Sequence, residues 1–194
     1  MRYSSRATPC FPMPIVTPRL LIRPPQVSDA PALNAGILES FDELHRFMPW
    51  AKKRPTLRES EKYIKSCVIN WVKKKNKEPY LALFVFDKNT NEFLGTAGFH
   101  HYDWQASSIE MGYWLRISCT GKGLMTEAIA AQTQYAFSVL KIKRVVITCD
   151  PDNSKSRRIP ERLGYTPETL LINHRIKPDT QKPGNTIVFA KYRD

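Results

Sequence analysis

A strand–helix–strand segment in the middle of the chain constrains the fold more than any other feature. Residues 108–116 (SIEMGYWLR) read as a strand, and the apolar stretch 144–150 (RVVITCD) reads as a buried one. Residues 122–139 between them form a predicted helix whose apolar side chains share one face: Leu124, Ala128, Ala131, Tyr135 and Val139. A crossover through a helix predicts that the two strands are parallel neighbours. A cleft is therefore expected at their carboxyl ends, where helices begin.

The other predicted elements complete a mixed α/β fold with a mostly antiparallel sheet flanked by helices. Further strands are predicted at 19–25, 80–87, 93–103, 170–176 and 186–192, and further helices at 28–40, 56–75 and 154–163. The strands at 80, 93 and 108 follow one another closely, which predicts an antiparallel meander. The last two strands are expected to form a closing antiparallel pair.

Local signals at helix starts sharpen two of these predictions. Ser28 is expected to cap the first helix, with Pro31 in its first turn. Thr56 and Glu59 have the spacing of a capping box. The helix that follows them is expected to bury one face made by Ile64, Cys67, Val68, Trp71 and Val72.

Length and composition indicate one globular domain. The chain has 194 residues and 42% hydrophobic residues, and we divide it into an N-terminal extension at 1–16 and a single domain at 17–194. Charges interrupt every apolar run, and the N-terminus lacks a long apolar segment, so we expect no membrane span and a cytoplasmic protein. The four cysteines have no metal-ligand spacing, which predicts free thiols and no metal site.

The net charge of +12 predicts attraction to polyanions such as nucleic acid, the ribosome, an acidic protein or a phosphorylated cofactor. Lysines at 73–75 follow Trp71 at the end of a predicted helix. They could form a nucleic-acid patch, but cations at a solvated helix end are the favoured interpretation.

The loop that opens the long helix has the features of an anion site. In SCTGKGLMTEAIAAQ (118–132), Gly121 and Gly123 flank Lys122 just before the helix. The first N–H groups of a helix lack internal partners, and glycines let the backbone approach a phosphate closely. An ordinary loop is the alternative, and the spacing fits neither a Walker A loop nor a dinucleotide-binding fingerprint.

A second polar cluster follows the strand at 144–150. In DPDNSKSRRIPERLGYT (150–166), Asn153 and Ser156 stand at the start of a helix and Gly164 at its end. Their side chains can cap that helix or bind a ligand lying across both helix starts.

Together these motifs resemble the GNAT superfamily of acetyl-CoA-dependent N-acetyltransferases. The order GYWL, TGKGLMTEA and NSKSRRIPERLGY resembles in particular the RimJ/RimL-type branch, which acetylates N-terminal α-amines of ribosomal proteins. TPRLLIRPPQVSDAPAL (17–33), FMPW (47–50) and FLGTAGFHHYDW (93–104) match that branch in the same order.

The resemblance implies a set of cofactor-binding residues for acetyl-CoA. The pyrophosphate would be held by the backbone of six consecutive residues: Thr120, Gly121, Lys122, Gly123, Leu124 and Met125. Tyr113, Trp114 and Leu115 would pair through their backbone with the pantetheine arm, which Asn153 would also bind. Ser156 would protonate or stabilise the leaving thiolate. Thr120 departs from the Arg or Gln of the family pattern, which alters one side-chain contact.

Three further residues are candidates for the acceptor side. An attacking amine must be neutral, so a base or a water chain to a carboxylate is needed, and Glu110 is the predicted base. An exposed surface carboxylate is its alternative reading. Trp50 and His100 are predicted substrate-site residues, with core packing and a structural role as their alternatives. His100 and His101 should alternate across the strand, so at most one of them would face a cleft.

The predicted function is transfer of an acetyl group to a primary amine, most simply a protein N-terminus, by a monomer or homodimer. The basic surface would repel a strongly basic acceptor and favour an acidic one or docking on ribosomal RNA. Two alternatives stay open: acetylation of a small amine such as a polyamine, amino acid or antibiotic, and a catalytically silent nucleic-acid- or ribosome-binding module.

Overall fold

A computed structural model describes residues 11–73 and 80–193 of the chain. Its strands are β1 (Ile15–Val16), β2 (Leu20–Arg23), β3 (Leu81–Asp87), β4 (Phe93–Asp103), β5 (Ser108–Leu115), β6 (Arg144–Cys149), β7 (Thr166–Ile176) and β8 (Pro183–Tyr192). Its helices are α1 (Ala30–Glu39), α2 (Phe41–Phe47), α3 (Leu57–Lys73), α4 (Leu124–Ser138) and α5 (Ser154–Arg162). Each element predicted from the sequence is present, with ends that differ by a few residues.

The strands form one mixed sheet in the order β1-β2-β3-β4-β5-β6-β8-β7. Strands β3, β4 and β5 form the predicted antiparallel meander. Strand β5 pairs with β6 in parallel, as the crossover helix requires, and β7 pairs with β8 antiparallel. The mixed, mostly antiparallel α/β fold is therefore confirmed.

Each face of the sheet carries its own apolar core. One cluster joins α4 to the strands through residues such as Ile129, Phe99 and Phe189. The other joins α1, α2 and α3 to the opposite face through Leu33, Leu44, Ile64, Phe84 and Trp114. The helices thus sit on both faces, and the helices that begin beside the carboxyl ends of β5 and β6 are α4 and α5.

Several local predictions are confirmed and several are wrong. Thr56 and Glu59 form the capping box, with Thr56 N donating to Glu59 Oε2 at 2.8 Å and Glu59 N donating to Thr56 Oγ1 at 3.3 Å. Ser28 is not the helix cap, because a short 3₁₀ turn at 27–29 precedes α1. Asp29 is the N-cap residue of α1, and its carboxylate accepts instead from Gln26 N at 2.7 Å, before that turn. Val72 and Val139 lie 78% and 41% exposed, because each stands at the end of its helix.

The run of lysines at 73–75, which was predicted to end a helix, continues past the described residues. Cys10 also lies outside them. Trp71, beside that run, has a structural role: its indole Nε1 donates to Ala82 O at 2.7 Å and its ring packs edge-on against Phe11.

Residues 11–16, which the sequence placed in the extension, contact the domain. Phe11 is buried in the core, and β1 pairs with β2. Cys67, Cys119 and Cys149 are buried free thiols. No helix in the described residues combines the length and apolarity needed to cross a membrane.

Candidate active site

The site lies where β5 and β6 separate. Their parallel pairing runs from Ser108–Arg144 to Met111–Ile147, and in the described part of the chain Gly112–Leu115 have no partner on β6. On its other side, β5 stays paired with β4 as far as Leu115. The backbone of residues 112–115 therefore presents unpaired hydrogen-bonding groups towards a cleft between the strands.

The first cavity of this cleft, which we name the phosphate-loop pocket, has a volume of about 400 Å³. Its floor is the loop between β5 and α4. Gly121 and Gly123 have φ angles of 79° and 74°, and Gly123 is the N-cap of α4. This left-handed backbone suits glycine and leaves the first N–H groups of α4 without internal partners. Leu124 and Met125 are buried below it and also line the pocket.

The two side chains beside these glycines serve the loop itself. The hydroxyl of Thr120 donates to the carbonyl of Ile117 at 2.8 Å and so closes a 3₁₀ turn. The Lys122 side chain is exposed and does not line the pocket, while its carbonyl accepts from Arg19 Nη1 at 3.0 Å. The cradle is therefore a property of the backbone rather than of the lysine.

Cations come instead from α5. Lys155, Arg158 and Arg162 line the pocket. Lys155 pairs with Glu43 at 2.5 Å, whereas Arg158 and Arg162 have no ion pair among the described residues. Two unpaired guanidinium groups facing the same cavity as the glycine loop favour an anionic ligand there.

Asn153 and Ser156 meet at the start of α5, as their spacing predicted. Asn153 Oδ1 caps the helix by accepting from Ser156 N at 3.1 Å. Both residues line the phosphate-loop pocket. The cap leaves the amide NH₂ of Asn153 available to a ligand.

Sequence reasoning missed the phenol of Tyr113, which was predicted to act only through its backbone. The Tyr113 hydroxyl donates to the Ser156 carbonyl at 3.0 Å, and Ser156 Oγ donates to the Tyr113 hydroxyl at 3.4 Å. Burial raises the pKa of Tyr113 well above its usual range, although the hydrogen bond with Ser156 opposes this. The phenol therefore keeps its proton at neutral pH.

A second cavity, which we name the aromatic pocket, lies on the sheet face that carries α1 and α3. Its volume is about 820 Å³, within the range of small-molecule sites. Trp50 is 51% exposed, and its ring centroid lies 6.2 Å from that of Trp114. Trp50 is thus a pocket-wall residue rather than a core residue. The other aromatic lining residues are Phe47, Tyr63, Tyr80 and Tyr113.

The two pockets share one wall. Six residues line both cavities: Phe47, Met48, Tyr113, Trp114, Asn153 and Ser156. A ligand in one pocket can therefore reach a ligand in the other where Tyr113 and Ser156 stand.

Glu110 stands behind the wall of the aromatic pocket. It accepts a hydrogen bond of 2.6 Å at Oε1 from the hydroxyl of Thr148, which lines the pocket. His100 lies opposite Glu110 on the neighbouring strand and also lines the pocket. Burial, opposed by Glu110 and assisted by His101, lowers the pKa of His100 below its ordinary value. The imidazole is therefore neutral at neutral pH.

The prediction that only one of the two histidines would face a cleft is wrong. Both His100 and His101 line the aromatic pocket, and their ring centroids are 4.8 Å apart. His101 has a φ of 50°, and the pairing of β4 with β5 becomes irregular between His100 and Asp103. A bulge of this kind breaks the alternation of side chains along a strand.

Two ion pairs that line the aromatic pocket were not predicted, because no sequence pattern indicates which charged side chains pair. The buried carboxylate of Asp150, at the end of β6, lies 2.5 Å from Arg175 Nη2 on β7. Lys53 pairs with Glu59 at 2.7 Å. These pairs match acidic with basic side chains, so the lining has no strong net charge.

Comparison with known proteins decides the family. The model of the acetyltransferase (GNAT) domain matches residues 19–166. The chain is a member of the GNAT acetyltransferase family. The RimJ/RimL-like resemblance is confirmed as well, since homologues carry names of ribosomal-protein acetyltransferases. This GNAT chain is an enzyme, since its homologues and structural neighbours are acetyltransferases.

Individual GNAT relatives are distant. The Bacillus subtilis protein whose name reads "Putative ribosomal N-acetyltransferase YdaF" is 27% identical over 79% of this chain and 81% of its own. The [ribosomal protein uS5]-alanine N-acetyltransferase of Escherichia coli is 29% identical over 79% of this chain and 78% of its own.

Solved structures show the same GNAT fold. A ribosomal L7/L12 α-N-protein acetyltransferase (RimL) in complex with coenzyme A superposes with a TM-score of 0.81 at 22% identity, over 93% of this chain and 97% of that one. The microcin C7 self-immunity acetyltransferase MccE, in complex with acetyl-CoA and AMP, gives a TM-score of 0.79 at 26% identity, over 91% of this chain and 94% of that one.

GNAT acetyltransferases use acetyl-CoA, and the phosphate-loop pocket fits this cosubstrate. The glycine cradle and the unpaired Arg158 and Arg162 suit a pyrophosphate. The unpaired backbone of residues 112–115 suits an amide-bearing arm. Nothing in this pocket requires a metal to complete the fit.

Proposed function

We propose that this protein transfers the acetyl group of acetyl-CoA to the N-terminal α-amine of a protein, by direct attack of the amine in a ternary complex. The wall shared by the two pockets carries this proposal. Acetyl-CoA in the phosphate-loop pocket would bring its thioester to Tyr113 and Ser156, and an amine in the aromatic pocket would approach the same place. Holding both reactants in one geometry supplies much of the catalysis.

Glu110 is the base in this proposal, and His100 stands between it and the amine. An α-ammonium must lose a proton before it can attack. The neutral His100 imidazole lines the pocket, and one of its ring nitrogens lies within 4.8 Å of a carboxylate oxygen of Glu110. The hydroxyl of Thr148 holds one carboxylate oxygen in place. The proton therefore passes from the amine through His100, or a water beside it, to Glu110.

Ser156 and Tyr113 act on the leaving group. Bound acetyl-CoA supplies a thioester whose carbonyl carbon accepts the amine and whose sulfur leaves as a thiolate. Ser156 Oγ is linked to the Tyr113 hydroxyl, which keeps its proton because burial raises its pKa. Ser156 Oγ can donate a hydrogen bond to the leaving sulfur, and the thiolate takes up the second proton of the amine, which the nitrogen loses as the amide forms. The unpaired N–H groups of residues 112–115 stabilise the carbonyl oxygen.

The size and lining of the aromatic pocket support a peptide acceptor. Its volume of about 820 Å³ exceeds the needs of a simple amine, and Trp50 at its rim is half-exposed. Relatives are named for acting on ribosomal proteins. This chain has a net charge of +12, which favours an acceptor that is acidic or that is bound to the ribosome over a free basic protein. We infer a cytoplasmic monomer or homodimer.

A small amine is the second candidate acceptor. The aromatic side chains of Trp50, Tyr63, Tyr80 and Trp114 offer stacking surfaces for a planar group. The structurally similar MccE was solved with AMP, which is planar in part. A polycationic amine is disfavoured, because the charged lining residues are already paired.

One experiment tests acceptor and base together. Turnover of acetyl-CoA is measured with peptides bearing the N-termini of acidic and basic ribosomal proteins, with polyamines, aminoglycosides and aminoacyl nucleotides. Peptides are expected to give the highest kcat/KM, and Trp50→Ala is expected to raise the acceptor KM without changing that of acetyl-CoA. Preferred turnover of a small amine would overturn the acceptor assignment.

Glu110→Gln is compared in the same assay with Glu161→Gln, which alters an exposed carboxylate on α5. We expect Glu110→Gln to lower kcat by about 100-fold and Glu161→Gln to leave it unchanged. Full activity of Glu110→Gln at every pH would show that another group is the base, while acetyl transfer itself would stand.

A further inference from the structure

His100, His101 and Glu110 bring three metal-ligating side chains together beside the aromatic pocket, which the two histidines line. One donor atom from each lies within 4.8 Å of the other two. Ligands around a tetrahedral Zn²⁺ are about 3.3 Å apart, so small side-chain rotations would close the set. Two imidazole nitrogens and one carboxylate oxygen suit Zn²⁺, Co²⁺ or Ni²⁺ better than the hard cations Mg²⁺ or Ca²⁺.

An unfavourable backbone conformation at His101 brings the two histidine side chains together. Adjacent residues of a regular strand point to opposite faces, so consecutive histidines could not share one ion. The left-handed φ of 50° at His101 and the irregular pairing after His100 bring both rings to the same pocket. Such a conformation in a residue other than glycine costs about 1 kcal/mol or more and is concentrated at functional sites.

Neighbouring residues leave room for the set and orient it. A Cβ on Gly112 would lie 3.0 Å from His100 Nε2, so only glycine there leaves the ring in place without a shift. Thr148 donates to Glu110 Oε1 at 2.6 Å, which leaves Oε2 as a ligand and fixes the carboxylate. Hydrogen bonds of this kind to ligating groups tune metal affinity.

We propose that His100, His101 and Glu110 bind one divalent transition-metal ion of the Zn²⁺ class, with the aromatic pocket supplying the open coordination position. This goes beyond acetyl transfer. The bound ion takes up the carboxylate proposed as the base and stands where the acceptor amine would lie. Metal binding therefore inhibits acetyl transfer reversibly, while the phosphate-loop pocket keeps its acetyl-CoA.

The test uses tag-free, chelator-treated protein without acetyl-CoA. Co²⁺ is titrated while its visible d–d absorption is followed, and Zn²⁺ binding is measured by calorimetry and by competition with Co²⁺. We expect one ion per chain in the wild-type protein. His101→Asn, in which Asn tolerates a positive φ, and Glu110→Gln should each abolish stoichiometric binding.

Two variants calibrate the result. His174→Asn alters an exposed histidine on β7 and should retain the full Co²⁺ spectrum. Thr148→Val keeps the three ligands and should weaken affinity about 10-fold to 100-fold. Stabilisation of each variant by acetyl-CoA, measured as a rise in Tm, verifies that it is folded.

Absence of stoichiometric binding to the wild-type chain would overturn the proposal. So would an unchanged Co²⁺ spectrum in both His101→Asn and Glu110→Gln. Because binding is measured without acetyl-CoA, either result is independent of whether acetyl transfer occurs. If the ion binds but Zn²⁺ does not lower turnover, or if a chelator does not restore the turnover that Zn²⁺ has lowered, the inhibitory consequence fails.

Discussion

The hydroxyl groups of Tyr113 and Ser156 lie 3.4 Å apart, on the wall that separates the phosphate-loop pocket from the aromatic pocket. The Tyr113 phenol also donates to the Ser156 carbonyl at 3.0 Å. One residue comes from the end of β5 and the other from the first turn of α5. The pair thus ties together the two elements that form the cleft, at the point where the acetyl group would be transferred.

The Tyr113–Ser156 pair predicts strong coupling between substitutions. Tyr113→Phe and Ser156→Ala should each lower kcat by about 10-fold to 100-fold, because each disrupts the hydrogen-bonded pair that places the Ser156 hydroxyl at the leaving thiolate. The double variant should be little worse than either single one, since groups that act as a unit are not additive. Steady-state kinetics with acetyl-CoA and the preferred acceptor measure all three. Independent, additive losses would show that the two hydroxyls do not act together.

The phosphate loop gives a prediction that separates strain from binding. Gly121→Ala places a Cβ in open space at a φ of 79°, inside the pocket, and Gly164→Ala meets similar strain at a φ of 69° after α5, outside both pockets. Each should lower the free energy of unfolding by about 1 kcal/mol. Only Gly121→Ala should raise the KM for acetyl-CoA, because its methyl group stands where the backbone approaches the phosphates.

Urea denaturation and acetyl-CoA kinetics check the two glycine variants side by side. Equal effects of both variants on the KM for acetyl-CoA would mean that general destabilisation, rather than the cradle, sets the affinity.

The buried carboxylate of Asp150 predicts a pH-dependent contribution to stability. Burial alone would raise its pKa, but hydrogen bonds from Arg175 and Asp152 N, together with the charges of Arg175 and Lys177, hold it below the ordinary value. A lowered folded-state pKa means that the unfolded chain takes up its proton first. The contribution is therefore complete above the ordinary carboxyl pKa of about 3.9 and is lost as the pH falls through the lowered folded value.

Asp150→Asn should lower the free energy of unfolding at pH 7 by about 3 kcal/mol, because it leaves Arg175 half-buried without its partner. The fall in stability below pH 4 should also become shallower. Asp152→Asn is the matched control: Asp152 is 72% exposed and pairs with Lys177, so its loss should cost at most about 1 kcal/mol. Thermal unfolding from pH 3 to pH 7 measures both. If Asp150→Asn lowers the free energy of unfolding at pH 7 no more than Asp152→Asn does, the stabilising role assigned to the Asp150–Arg175 pair is wrong.

Much of the fold was predictable because it depends on local patterns. The parallel pairing of β5 and β6 followed from the crossover helix, and the left-handed loop that opens α4 followed from Gly121 and Gly123. Asn153 and Ser156 also met where their spacing placed them. The two loop features arise within short stretches of sequence, and the pairing of β5 with β6 follows from the predicted order of strand, helix and strand.

The features that the sequence did not predict are contacts between distant stretches. Asp150 follows β6 and Arg175 lies on β7, and β8 separates these two strands in the sheet, so no local pattern indicated that the two side chains pair. The phenol of Tyr113 finds Ser156 across a separation of 43 residues. The expectation that His100 and His101 face opposite sides of the sheet assumed a regular strand. No residue pattern predicted the irregular pairing of β4 with β5 that directs both side chains into one pocket.

The core under α4 contains a polar side chain that predicts a stabilising substitution. Gln132 is fully buried, and neither its amide nitrogen nor its amide oxygen has a hydrogen-bond partner among the described residues. A buried polar group without a partner costs about 1–3 kcal/mol. Methionine has a similar length and flexible shape, so Gln132→Met should raise the free energy of unfolding by about 1 kcal/mol. Gln134→Met, at an exposed position of the same helix, is the control and should change stability by less than about 0.5 kcal/mol. Urea denaturation measures both, and a destabilised Gln132→Met would show that the amide has partners, such as a buried water, that the protein needs.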